Sequence, residues 1–282
     1  MIKNSRLKKK IGLVILNIFF VAVCFVTLIP VLYAFSVSLN EQNSLVSSTF
    51  SFIPKTLTLD HYKSVFTDEP ILLWFTNSII LAVASVTVSL SVAVPAAYVF
   101  SRKEFVGRKA ILKLLMLLYS FPSILSMFAI YKLLSPFGLV DSRLGLVIIY
   151  SGTMAVFGLW NLKGYFDTIP YDIEEAAMID GANGFQIVKL ILLPLAKPSV
   201  IVTAVMVLIY VWNEYIFAIT FLTGASKYTL AAGLYGLQAT EMSGSWPVFA
   251  AASLMISLPV LIIFFLVQKH MQSGLSAGGV KG

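Results

Sequence analysis

YFDTIPYDIEEAAMIDGANGFQIVKLILLPLAKP, residues 165–198, is the stretch whose reading decides the fold. It is a polar interruption in a chain that is otherwise mostly apolar. It carries Asp167, Asp172, Glu174, Glu175 and Asp180 against Lys189 and Lys197. The spacing predicts two short helices around a glycine corner. Pro170 suits a first helical turn, and acids close behind it suit the positive end of the helix dipole. Gly181 has no Cβ to oppose a left-handed helix stop. Asn183 is placed to cap a second helix, expected to run to Leu193 and end before Pro194.

If the first of these helices lay on lipid headgroups, Ile173, Ala176 and Ala177 would form its buried face. Two features oppose that arrangement. The polar face is acidic, whereas anionic lipid attracts Lys and Arg. Met178 and Ile179 also crowd toward the exposed side, where a protein groove would bury them. A docking helix for a cytoplasmic partner fits better.

Working outward, the 282 residues are 59% hydrophobic and only 12% charged. A soluble domain carries about 25% charged residues. Such a chain cannot wet its own surface, which implies an all-α integral membrane protein. The net charge of +7 is gathered beside apolar runs. That is a topology signal rather than a nucleic-acid footprint. Cys24 stands alone, which excludes an intrachain disulfide, and His61 and His270 are far apart. No His/Cys cluster has metal-ligand spacing.

Six apolar runs are long enough to span a bilayer, whose core needs about 20 residues of helix. They are 11–37, 71–100 (holding Asn77 and Pro95), 111–134 (broken by Ser120 and Pro122), 144–160, 200–222 and 248–267. The first follows a basic start and is too long for a signal-peptide core. Residues 39–70 are expected to be a loop, and 223–246 a glycine-dotted connection. Six spans put both termini on one side. Fifteen Lys and Arg fall on that side and five on the other. Positive residues favour the cytoplasm, so both termini and 165–198 are expected inside. The organisation is a cytoplasmic N-terminus (1–10), a six-span domain (11–269) containing the 165–198 loop, and a cytoplasmic tail (270–282).

No G-x-x-x-x-G-K-[ST] phosphate loop and no Ser/His/Asp or Cys/His set is present,. The chain lacks an engine of its own. One acid, Glu214, lies within an apolar run beside Asn213. An intramembrane carboxylate is costly and faces a cavity or a partner. Asn213 and Glu214 are thus candidates for a solute path or gate; a hydrogen-bonded Glu214 that fixes helix packing is the alternative.

Glu175-Ala176-Ala177, three residues, Gly181, nine residues, then Ile191-Leu192-Leu193-Pro194 resembles the E-A-A-x3-G-x9-I-x-L-P loop of ABC importer permeases. Three more stretches resemble the carbohydrate-uptake branch, of the maltose/maltodextrin permease type and the smaller of its two permease subunits. They are Phe52-Ile53-Pro54-Lys55 with Leu59-Asp60-His61-Tyr62, Ala97-Tyr98 with Ser101-Arg102, and the tail Gly274–Gly282. The resemblance spans nearly the whole chain. It is looser in 223–246 and in spans three to five.

The resemblance implies a type I importer fold in which this chain pairs with a second permease. An ATPase dimer would dock on the loop, through Glu174, Glu175, Ala176, Ala177, Asp180, Gly181 and Pro194. ATP and Mg would belong to that partner, and no cofactor or catalytic residue to this chain. An extracellular or periplasmic sugar-binding protein would deliver an oligosaccharide, with 223–246 reaching toward it. The tail, through Gly278, Gly279 and Lys281, would enter the ATPase interface in an extended or turned form. The competing readings are an ion-coupled secondary carrier using Glu214 and a scaffold that only docks a cytosolic partner. A secondary carrier would show internal repeats of its spans, and no second copy of the Glu-Ala-Ala stretch is present.

Overall fold

The computed structural model describes residues 2–41, 56–239 and 246–279. All regular elements among them are helical, apart from one isolated bridge between Asn40 and Leu57. Four helices are long and apolar enough to cross a membrane: Lys10–Ser38, Ile71–Arg102, Arg143–Phe166 and Trp246–Lys269. Two further pairs are bent: Arg108–Ser120 with Ser123–Phe137 by 99°, and Gly184–Leu195 with Lys197–Asn213 by 83°. Counting each bent pair as one span gives six.

The chain divides into two compact units. One comprises Met1–Glu69 and Leu237–Ser257. It holds α1 (Ile2–Ser38), α2 (Asp60–Thr67) and the start of α13 (Trp246–Gly279). α1 exposes apolar side chains all round, as a lipid-facing helix must,. α2 corrects the expectation of a loop over 39–70. It hangs from the end of α1: Ser38 Oγ and Tyr62 Oη share a hydrogen bond of 2.8 Å, and His61 Nε2 donates to the Asn40 carbonyl at 2.9 Å.

The other unit comprises Pro70–Gly236 and Leu258–Gly282. Its centre is the packing of α3 (Ile71–Arg102) on α6 (Arg143–Phe166). The buried face of α3 is a stripe of small residues at helical spacing: Ser78, Ala82, Ser85, Ser89, Ala93 and Ala97. Small residues let backbones approach closely where lipid supplies no hydrophobic drive. Gly158 of α6 takes up that approach. A Cβ there would stand 2.9 Å from Ala93 Cβ and 3.3 Å from Thr203 Cγ2 of α10 (Lys197–Asn213). Asn161 Nδ2 donates to Thr203 Oγ1 at 2.7 Å, tying α6 to α10.

Between α3 and α6 run α4 (Arg108–Ser120) and α5 (Ser123–Leu134). They part at Phe121, which is extended (φ −72°, ψ 131°) because Pro122 denies it the helical region,.

Three further expectations need correction. The run 200–222 is not one helix: α10 ends at Asn213, Glu214 is extended, and α11 (Ile216–Phe221) follows. The connection 223–246 contains α12 (Leu230–Ala239), whose Leu230 and Ala232 are buried. Gly233 of α12 lies so close to the Trp74 ring that a Cβ would meet it at 2.2 Å. Glycine there is a packing requirement rather than a mark of looseness. The tail is helical through Gly279 as part of α13, not extended. A long apolar helix already carries the nucleation cost, so each added glycine costs only about 1 kcal/mol of propensity. Lys281 lies outside the described residues.

Gly158→Leu is expected to force α3, α6 and α10 apart and lower stability by about 1–3 kcal/mol. Gly152 on the same helix has nothing within 4 Å of its Cβ position, so Gly152→Ala is the control. Thermal unfolding in detergent checks both; equal melting temperatures would contradict the packing argument.

Candidate functional site: the docking helix and its clamp

The loop after α6 forms α7 (Asp172–Ile179), with Asp172, Glu174 and Glu175 in its first turn. Pro170 precedes the helix rather than opening it. Gly181 is left-handed at φ +88°, as the corner requires, and its Cβ position is otherwise free. Asn183 and Gln186 form a reciprocal capping box: Asn183 Oδ1 accepts from Gln186 N at 3.0 Å, and Gln186 Oε1 accepts from Asn183 N at 2.8 Å. The helix so capped passes through α8 (Gly184–Gln186), a π-helical segment (Ile187–Leu192) and α9 (Leu193–Leu195). It therefore runs past Pro194, contrary to expectation. Proline in a continuing helix needs relaxed geometry upstream, and the wider π turn precedes it here.

Met178 and Ile179 of α7 are exposed, Ile179 at 86%, as the sequence reading has them, and so are Ile173 and Ala176, which the headgroup arrangement would bury. The residue turned fully inward is Glu174. Its Oε1 accepts from Arg102 Nε at 2.5 Å, at the end of α3. Arg102 Nη2 donates to the Ile169 carbonyl at 3.0 Å, and its guanidinium lies 5.9 Å from the Tyr171 ring centre. Ser101 Oγ donates to Asp167 Oδ1 at 2.6 Å, and Lys163 Nζ pairs with Asp167 Oδ2 at 2.6 Å. The end of α3 thus clamps both sides of the turn into α7. The sequence reading has Glu174 and Glu175 both approaching a partner. The structure separates them: Glu175 is exposed with Asp172 and Asp180, and Glu174 belongs to the clamp. Arg102, Ser101 and Asp167 were missed as site residues. Their signal was an Arg closing an apolar run, which hydropathy reads only as a helix end.

α7 thus shows solvent an acidic and apolar face while a buried ion pair holds its other side. Residues 89–276 match the family of binding-protein-dependent transport system inner membrane components. The chain belongs to that family. It is 35% identical over 285 residues to the galactooligosaccharides transport system permease protein GanQ of Bacillus subtilis, covering 100% of both chains. It is 33% identical over 299 residues to the maltose/maltodextrin transport system permease protein MalG of Escherichia coli, covering 99% of this chain and 98% of that one. A chain from the crystal structure of a bacterial ABC transporter involved in the import of the acidic polysaccharide alginate superposes with a TM-score of 0.75. That chain is 28% identical, with 94% of this chain and 97% of that one covered. The fold is that of a type I importer permease, a transport subunit and not an enzyme.

Within this permease, Glu214 sits at the break between α10 and α11. Its Oε1 accepts from Phe217 N at 2.9 Å, capping α11, and its Oε2 accepts from Tyr150 Oη of α6. Asn213 is exposed and donates back to the Ile209 carbonyl at 2.8 Å. Both oxygens of Glu214 are therefore engaged in structure. The ion-coupled carrier reading loses its support here and in the family match. Beside this break lies a cavity of about 560 Å³, with Tyr119, Phe121, Ser126, Thr153, Tyr210 and Phe217 in its wall.

At the opposite end of this unit from α7, Asp141 joins two turns. Its Oδ2 accepts from Lys227 Nζ at 2.5 Å and its Oδ1 from Thr223 N at 2.7 Å. The Lys227 bond first, and the Thr223 bonds next, hold the Asp141 carboxyl down at about 2. Its ordinary value is about 3.9, so the folded form is favoured above that pH and the benefit fades as pH falls toward 2. Asp141→Asn is expected to lower the melting temperature by the same amount at pH 8 and pH 5. The gap from wild type should close only below about pH 4. A gap that closes between pH 8 and 5 would assign the effect to another group.

Proposed function

We propose that this chain is one of two permease subunits of an ATP-driven importer of oligosaccharides of the maltodextrin or galactooligosaccharide kind. Support for the sugar class comes from the relatives' transport of those sugars and from the likeness to the alginate importer. One observation carries the mechanism: α7 offers Glu175, Asp172, Met178 and Ile179 outward while Glu174 anchors it inward. A separate ATPase dimer, which binds ATP and Mg, grips that face. Its acids meet basic groups in the groove, and its apolar residues fill the floor. With both termini and α7 on the cytoplasmic side, ATP-driven closure reaches the path through the loop. A sugar-binding protein engages the other side. Asn213, Glu214 and the neighbouring cavity border the path, with Glu214 shaping it rather than carrying ions. Gly278 and Gly279 extend α13 toward the ATPases.

Two measurements test this. A tagged chain purified from its own membranes is expected to bring down a stoichiometric ATPase. Deletion of the gene is expected to abolish uptake of radiolabelled maltodextrin or galactooligosaccharide. A chain that elutes without an ATPase, or uptake that survives deletion, would overturn the reading. Within the corner, Gly181→Val incurs left-handed strain of about 1–2 kcal/mol and should misplace α7 and stop uptake, whereas Gly181→Asn should keep most of it. Equal uptake by both variants would show that the corner's conformation does not matter.

A further inference from the structure

α3 is fastened by polar side chains at both ends, and both sets of fastenings hold main chain or a buried charge. At one end the Arg102–Glu174 pair grips α7, and Arg102 Nη2 also holds the Ile169 carbonyl. At the other end Trp74 Nε1 donates to the Ala225 carbonyl at 2.7 Å. Asn77 Nδ2 donates to the Ser226 and Tyr228 carbonyls at 3.1 and 2.9 Å, and Ser78 Oγ accepts from Leu230 N at 2.8 Å. These partners are the turn leading into α12. Gly233 of α12 then closes on the face of Trp74.

Such placements are costly in an apolar helix. Asn77 is 1% exposed and Ser78 2%, in a segment that would span more easily as leucine,. Between the two ends, the small-residue face of α3 is packed tightly on α6 at Gly158, so α3 has little slack to absorb a displacement,. Its 32 residues extend about 48 Å at 1.5 Å per residue, enough to cross the bilayer,.

We propose that α3 is a mechanical link across the membrane. Its Arg102 is a positioning residue that joins α3 to the ATPase-docking helix, and Trp74, Asn77 and Ser78 join it to the 225–230 turn on the far side. The turn's position then follows the state of α7. By linkage, a protein bound at the turn changes the affinity at α7 by the same factor. The inference rests on the proposed importer function, because the force at α7 is the ATPase's.

The test uses the complex with the ATPase that co-purifies with the wild-type chain. Ser226→Cys is placed in a Cys24→Ser background and labelled with a membrane-impermeant maleimide, with and without ATP plus vanadate. Trapping is expected to change the labelling rate about fivefold or more. Asn77→Leu, at the end of α3 away from α7, should abolish that change while the ATPase stays bound. Arg102→Lys, which keeps the charge without the fork, should reduce the change in the fraction of complex that retains the ATPase. A change that persists in Asn77→Leu, or that stays full-sized in ATPase-bound Arg102→Lys, would overturn the link. A wild-type chain that carries no ATPase would overturn the importer reading, and this inference with it.

Discussion

Hydrocarbon offers no hydrogen bond to a broken helix. Every interruption in this chain therefore has to supply its own partners. At the α10–α11 break, the amide of Phe217 is met by the Glu214 carboxylate. At the two bends the ladder is handed on. Phe121 N still reaches the Leu118 carbonyl at 3.2 Å, Ala196 N reaches Leu192 O at 2.7 Å, and Val200 N reaches Ala196 O at 2.9 Å. Hydroxyls within spans follow the same constraint. Thr76, Thr87, Ser120 and Thr220 each donate to the carbonyl four residues back. The 99° bend is thus compatible with a membrane, and the 83° bend at Ala196 keeps its ladder as well,.

A buried charge likewise has to find its partner, and that sets the rotation of α7. Adjacent residues on a helix point about 100° apart, so Glu174 and Glu175 cannot both face the body of the protein. Which one turns inward is decided by Arg102, at the end of a different helix and 72 positions earlier in the chain. Once Glu174 is taken, Asp172, Glu175 and Asp180 are left for solvent and Ile179 follows them outward. The exposed face of α7 is therefore set by α3, not by the local sequence of α7.

What the sequence revealed and what it hid follow from this. Runs of apolar residues mark spans because the bilayer reads only average hydropathy, and these were legible. The corner was legible because positive φ at Gly181 and the cap at Asn183 are local chemistry. The stripe Ser78, Ala82, Ser85, Ser89, Ala93, Ala97 was hidden, since its serines hardly lower the mean hydropathy of α3 and only their spacing marks a face. Glu214 reads locally as a charge inside a helix because its partner Tyr150 is 64 residues away. α12 was hidden because glycine signals a loop when read locally, whereas Gly233 answers the Trp74 ring.

The Arg102–Glu174 pair is a poor device for stability alone. Two buried charges lose several kcal/mol of hydration each, and well-packed apolar residues of the same volume often serve as well or better. Here the compensation is incomplete, since Glu174 Oε2 is buried with no hydrogen-bond partner among the described residues. What the pair supplies instead is register. The guanidinium is planar and its donors point in fixed directions. Nε takes the carboxylate, Nη2 takes the Ile169 carbonyl, and Nη1 reaches Ser101 Oγ at 3.2 Å. Those three acceptors lie before, within and opposite the turn into α7. One rigid group therefore fixes where the helix starts and how it is rotated. An ammonium in the same place would supply the charge without the fork, and α7 would lose the rotation that presents Glu175 outward.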